Sequence, residues 1–475
     1  MVNAEDNEGD SALHYASRRG HTDIIKILLN RDLSLLNKQN KRGLTPLHLA
    51  SYYGNCDAVK ELLTTFGCQV DAENNYGNSA LHYASEQGHT DIIKILLDRD
   101  LSLLNKQNKY GKTPLHLASN NGNCDAVEEL LTTFGCQVDA ENNDGYSSLH
   151  YASRQGHTDI IKILLDRDLT LLNKQNKPLH YASRRGHTDI IKILLDRDLT
   201  LLNKQNKRGQ TPLHLASYHG KCDAVKELLT TIGCQVDAED NDEESALHYA
   251  SLQGHTNIIK ILLDSDLSLL NKQNKDGVTP LHLASYQGKC DAVKELLNII
   301  GCQVDAENND GNLALHIASW QGHTNIIKIL LDRDLSLLNK QNKDGKTPLH
   351  LASYRGNCDS VKELLNIIEC QVDTEDIDGN SAIHHASRMG HTNVIKILLD
   401  RDLSLLNKQN IHGESPLHLA ASFMRFEAVN HLLSYSECSV DIKDKAGKSA
   451  LNIAQNRGFT KIVNSILERD TQTPS

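Results

Sequence analysis

No hydrophobic run in this 475-residue sequence approaches the roughly 20 residues that a membrane-spanning helix needs. The start, Met1-Val2-Asn3-Ala4-Glu5-Asp6, has neither the charged region nor the apolar stretch of a signal peptide. Positive charge is in deficit. The formal net charge of -11 counts against nonspecific binding to nucleic acid or to an anionic membrane, both of which need a basic surface. Among 11 cysteines there is no C-x-x-C; ten form five pairs 12 residues apart, such as Cys56 and Cys68, and the eleventh is Cys438. That spacing suits small apolar residues in a reducing compartment better than disulfides or zinc ligands, and points to the cytoplasm or the nucleus. A glycine-rich phosphate loop, an H-E-x-x-H and an isolated nucleophile elbow are all missing, so the chain reads as no enzyme, with no cofactor and no small-molecule substrate. Aromatic residues make up only 4% of the chain, with a single tryptophan, so each one on a surface carries information.

What the chain does have is a period. Thr45-Pro46-Leu47-His48-Leu49-Ala50 returns, intact or edited, fourteen times, every 34 residues except for one step of 30 between Ser147 and Lys177. A fixed period of this length marks a stacked repeat array, in which each unit touches only its neighbours and no central core exists.

One unit shows why stacking is needed. Thr45 suits an N-cap, and Pro46 suits the first helical turn, where its missing N–H costs nothing. The helix predicted from there ends at Gly54, and a second one follows from about Asp57 to Thr65. In the second helix Val59 and Leu63 lie four apart, as do Ala58 and Leu62, which gives one apolar stripe. An extended stretch then runs to a glycine turn at Asn75-Tyr76-Gly77-Asn78. Neither helix can bury its stripe alone. The units also alternate between a Ser-Ala-Leu-His-Tyr-Ala type and a Thr-Pro-Leu-His-Leu-Ala type, which implies a 68-residue building block.

Gly43-x-Thr45-Pro46-Leu47-His48-Leu49-Ala50, then Gly54, Val59 and Leu62-Leu63, resembles the ankyrin repeat, and the resemblance extends over nearly the whole chain. It implies an all-α solenoid of stacked helix-turn-helix repeats with β-hairpin fingers, forming a curved, elongated array. The departure from the family is one extra residue after the second helix, near Phe66 or Asp32. The resemblance also implies that the repeated histidines, thirteen at the core position and seven at the turn, are structural ties. It further implies that Asn37, Asn105, Asn173, Asn203, Asn271, Asn339 and Asn407 match a place where ankyrin asparagines are hydroxylated.

The expected organisation follows. Residues 1–6 match the tail of a preceding repeat, which suggests a truncated product or fragment. Residues 7–176 hold repeats one to five, and 177–470 hold repeats six to fourteen, the last with Asn452 in place of histidine as a C-terminal cap. Residues 471–475 are expected to be a disordered tail. At Lys177-Pro178 the glycine turn is missing and two units of one type adjoin, so a stunted finger and a kink or weak interface are expected there. Glu243 and Met424 occupy two other glycine positions.

In ankyrin arrays partners usually lie along the concave face of finger tips and first helices. Two exposed positions of the first helix immediately precede the inter-helix glycine, and the first of them reads Tyr218, Leu252, Tyr286, Trp320 and Tyr354 in five successive units. Tyrosine is the usual residue there in Thr-Pro units and can serve as plain helix cover; Leu252 and Trp320 replace the Arg18, Glu86, Arg154 and Arg388 of sister units. Tyr and Trp bury much area at low entropic cost, so this strip is a candidate protein-binding site. Arg154, Arg184 and Arg185 form a second candidate, suited to an acidic partner. The function that follows is that of an intracellular scaffold or adaptor binding proteins, without nucleic acid or membrane insertion. Two other roles fit the sequence: the recognition arm of a larger enzyme or channel, and a mechanical spacer.

Overall fold

The computed structural model describes residues 4–173 and 178–470. Among these residues lie fourteen pairs of α-helices, from Ala12–Arg19 and Thr22–Arg31 to Ala450–Asn456 and Thr460–Asp470. The stripes Ala58, Val59, Leu62 and Leu63, and in the other unit type Ile92, Ile93, Leu96 and Leu97, are buried as their spacing requires.

The repeated hexapeptide caps its own helix and ties it to the next unit. Thr45 is extended, its hydroxyl accepts from the His48 amide at 3.4 Å, and Pro46 opens the helix Pro46–Tyr52. The His48 ring completes the cap. Its Nδ1 accepts from the Thr45 amide at 3.0 Å, and its Nε2 meets the Asn78 carbonyl of the following finger at 3.0 Å. A carbonyl can only accept, so Nε2 bears the proton and the ring is neutral. Burial pushes the pKa of His48 down to about 4, against the backbone hydrogen bonds that favour protonation. His82, His116, His248, His282, His316, His350 and His384 are likewise pushed to about 4, with burial as the main cause.

The glycine between helices answers to two constraints. Gly54 has φ +76°, and a Cβ there would sit 2.7 Å from Cε1 of His89 in the next unit. Met424 adopts φ +58° in the equivalent place. The unit that follows it offers Phe459 where the units after the other Thr-Pro repeats offer histidine.

The extra residue after the second helix is absorbed in two ways. Seven units carry a 3-10 turn there, such as Leu101–Asn105, which buries Leu103 and Leu104. Thr-Pro units such as the one with Gly67, at φ +89°, turn through a glycine. These turns leave Phe66, Phe134 and Ile232 exposed by 91%, 92% and 88%. The asparagines matched to hydroxylation act as clamps between neighbouring loops: Asn37 donates to the Gly67 carbonyl at 2.7 Å and accepts from the Gln69 amide at 2.9 Å. Asn105, Asn271, Asn339 and Asn407 repeat both bonds. The Asn173 side chain lies outside the described residues.

The expected β-hairpin fingers are not confirmed; the described fingers are tight turns. Among the described residues the only β pairing is an isolated bridge between Glu5 and Ser11. In the finger at Asn40, the Gly43 amide donates to the Asn40 carbonyl at 2.8 Å, and the Asn40 side chain accepts from the Arg42 and Leu44 amides, each at 2.9 Å. One backbone bond, from the Asn40 amide to the Leu44 carbonyl at 3.0 Å, joins the two arms, and the side chain adds to it. Successive fingers are joined by one backbone bond, as from the Asn75 amide to the Arg42 carbonyl at 3.1 Å.

The chain divides into two compact units: Met1–Lys207 with Thr211–Ala216 and Asp223–Cys234, and Arg208–Gln210 with Ser217–Cys222 and Gln235–Ser475. The stunted finger expected at Lys177 and the tail at 471–475 lie outside the described residues. Within the first unit, the repeats flanking Lys177 are joined. His187 Nε2 donates to the Arg154 carbonyl at 3.2 Å, and the rings of Tyr146 and Tyr181 meet edge to face at 5.7 Å. No helix among the described residues is long and apolar enough to cross a membrane.

Candidate protein-binding site

The end of each first helix carries one residue of the predicted strip, and the next repeat pins that end in place. The carbonyls of Tyr218, Tyr286 and Tyr354 accept from Nε2 of His255, His323 and His391 at 3.1, 3.0 and 3.0 Å. The Trp320 carbonyl accepts from the Asn357 side chain at 2.9 Å. Turn histidines, read from the sequence as ties, thus double as anchors for the surface aromatics.

The structure brings three of the five strip residues together. The Trp320 and Tyr354 rings stack with centroids 5.4 Å apart and planes 13° from parallel. The Arg355 guanidinium lies 5.1 Å from the Trp320 ring centroid, in cation–π range. Tyr286 and Trp320 line one groove of about 570 Å³ with Ile317 and Leu351 beneath and Asp310, Lys343, Asp344 and Lys346 from the fingers. Tyr286 is 48% exposed. Tyr218 stands apart from this group: its ring meets Tyr249 of the following helix edge to face at 5.7 Å. Tyr52 does the same with Tyr83 at 5.6 Å, so the usual tyrosine packs on the next unit's first helix. Leu252 is half-buried and does not line the groove. Arg154, Arg184 and Arg185 are exposed in the first unit and are not part of this groove.

Ile317 explains why the groove exists, and sequence reasoning missed it. Sister units hold a tyrosine there, and that ring fills the space beside the preceding strip residue. Tyr83 is held by Asn74 at 2.6 Å, Tyr151 by Asn142 at 2.9 Å, and Tyr249 by Asp240 at 2.6 Å. Isoleucine leaves the Tyr286 face open. The signal was present as His316-Ile317-Ala318 against His82-Tyr83-Ala84.

Two units further on, His385 takes the tyrosine's place. Its Nε2 lies 2.8 Å from the Asp376 carboxylate, and the side chains are 7% and 1% exposed. Burial pushes the Asp376 carboxyl up, but hydrogen bonds from His385 and the Asn380 amide outweigh it and hold the group below its usual range. The His385 ring also meets Tyr354 at 6.0 Å, so this pair supports the stacked aromatics from behind. Cys370 and Cys438 are buried and the other nine cysteines are half-buried; burial pushes Cys68, Cys136, Cys234, Cys302, Cys370 and Cys438 up to about 11. No cluster of metal-ligating side chains occurs among the described residues.

Helix pairs, capped by a Thr-Pro-Leu-His signature and stacked by finger and turn histidines, define a class of repeat protein built for recognition. A family profile described as ankyrin repeats (3 copies) matches in nine overlapping segments: 1–74, 34–104, 52–142, 101–173, 118–201, 199–272, 267–337, 334–409 and 402–474. The chain belongs to the ankyrin-repeat family. A search of curated proteins returned no match. Ankyrin repeats are in general protein–protein interaction modules.

Proposed function

We propose that this protein is a non-enzymatic scaffold or adaptor that binds a protein partner on the finger-and-first-helix face of its second unit. The observation that supports this most is the groove opened by Ile317 and walled by Tyr286 and by Trp320, on whose ring Tyr354 stacks. Large rings in a desolvated recess are what interface hot spots are made of. Tyr218 and Leu252 extend the same face, while Arg154, Arg184 and Arg185 offer a separate basic surface on the first unit.

Ile317→Tyr restores what sister units carry, and the new hydroxyl can reach Asn308 as Tyr83 reaches Asn74. The fold is therefore kept and the groove filled. Partners captured from a cell extract by the wild type and quantified by mass spectrometry are expected to be lost in Ile317→Tyr and in Trp320→Arg. Capture that is unchanged in both variants would overturn the assignment of the site.

A further inference from the structure

The groove's surroundings indicate the chemistry of the partner. In sister repeats the two exposed positions that end the first helix are often basic, as in Arg18-Arg19, Arg154 and Arg184-Arg185. From Leu252 to Gln321 they are Leu252-Gln253, Tyr286-Gln287 and Trp320-Gln321, with no charge. The finger tips above change as well. Earlier tips are mixed, with Glu8, Arg42, Tyr76, Tyr110, Asp144 and Arg208, whereas five successive ones carry Asp242, Asp276, Asp310, Asp344 and Asp378. Along this stretch the helix ends carry no cation before Arg355, and the tips form an unbroken row of carboxylates, one per repeat.

Neighbouring lysines cancel two of the five carboxylates in that row. Lys275 pairs with Asp242 at 2.5 Å and Lys346 with Asp344 at 2.9 Å. Lys343 is committed to the Asn309 carbonyl at 2.7 Å. Among the described residues, Asp276, Asp310 and Asp378 have no ion-pair partner, and Asp310 lies in the groove beside Trp320 and Tyr286. The aromatic wall already shows which cation it accepts, since Arg355 lies over the Trp320 ring. Arg18 over Tyr53 at 5.0 Å and Arg388 over Phe423 at 4.6 Å repeat the contact at the same end of other first helices.

Spacing gives the partner's conformation. Packed helices lie about 8–10 Å apart. A polyproline II chain has three residues per turn and rises about 3.1 Å per residue, so every third side chain returns to one face after about 9 Å. We infer that the groove face from Asp242 to Asp378 binds an extended protein segment with an arginine at every third position, the guanidinium groups meeting the finger carboxylates and, in the groove, one of them lying between Asp310 and the rings of Tyr286 and Trp320. This inference rests on the protein-binding reading above.

The test uses the full chain and fluorescein-labelled peptides at 150 mM salt, read by fluorescence anisotropy. The probes are (Arg-Pro-Pro)4, (Arg-Pro-Pro-Pro)4 and (Glu-Pro-Pro)4. The first is expected to bind at least about fivefold more tightly than the second, and the third not at all. The double variant Asp276→Asn with Asp310→Asn, and separately Ile317→Tyr, are expected to weaken it about tenfold or more, a difference of about 1.4 kcal/mol. Asp57→Asn with Asp125→Asn removes the same two charges from the first unit and is expected to change the affinity less than twofold. Equal losses from the two double variants, or equal affinity for the two arginine spacings, would reduce the binding to general attraction toward an acidic chain and overturn the inference. If (Arg-Pro-Pro)4 does not bind while cellular partners are still captured by the wild type and lost in Ile317→Tyr, the arginine inference fails and the protein-binding reading stands.

Discussion

At the scale of the residue, the core histidine sets the conditions under which the array stands. Its Nε2–H is used on the next finger and its Nδ1 is used on the cap, so a second proton has no place without breaking the cap bond. The sign follows from a folded pKa of about 4 against an ordinary 6.5. Above pH 6.5 both states are neutral and stability is full; as the pH falls toward 4, the unfolded chain takes up protons that the folded one refuses. Each such histidine then withdraws on the order of 3 kcal/mol by pH 4. Circular dichroism is expected to show acid unfolding between pH 6.5 and 4, earlier than carboxylate protonation alone would give. An unchanged helical signal at pH 4.5 would rule this out. Backbone conformation matters at the same scale. Met424→Gly is expected to raise stability by about 0.5–1 kcal/mol by relieving a left-handed residue, measurable by urea denaturation.

At the scale of the element, the helix pair was the most legible part. Cap, first-turn proline, stripe and inter-helix glycine are all local, and each appears where Thr45, Pro46, Val59 and Gly54 placed it. The finger was less legible, because its arms are joined by a single backbone bond and by the Asn40 side chain, and neither leaves a strand's period in a sequence. The site was half legible. Trp320 is conspicuous in composition, while Ile317 acts by withholding a ring from its neighbour's surface, which becomes visible only once Tyr249 is seen to cover Tyr218. The same logic applies to His385. Asp376 is held below its usual range, so its contribution is present above the ordinary carboxyl pKa of 3.8 and is lost as the pH falls below it. His385→Tyr replaces this hydrogen bond with the Tyr–Asp bond seen at Tyr249 and Asp240. The variant is expected to keep the fold, with ring contacts to Tyr354 checked by NMR. Loss of the folded signal would show that the pair itself holds the finger.

At the scale of the whole molecule, stability is distributed over fourteen similar pairs, and surface properties recur with the period. The exposed Phe66 and Phe134 are an example. They bury almost nothing, so Phe66→Ser with Phe134→Ser is expected to shift unfolding by less than about 0.5 kcal/mol. Binding of a hydrophobic dye is expected to fall. A large drop in stability would mean that these side chains are covered in solution.

The repeating finger row also has a statistical side. A ligand with a matching period can engage a ruler of near-identical marks in several offsets. Three equivalent alignments would add RT ln 3, about 0.6 kcal/mol, to the observed affinity while leaving the position undefined. The chain has one tryptophan, and it stands in the one pocket that an isoleucine opened. That single irregular mark singles out one offset and turns a surface on which a ligand could slide into one with an address.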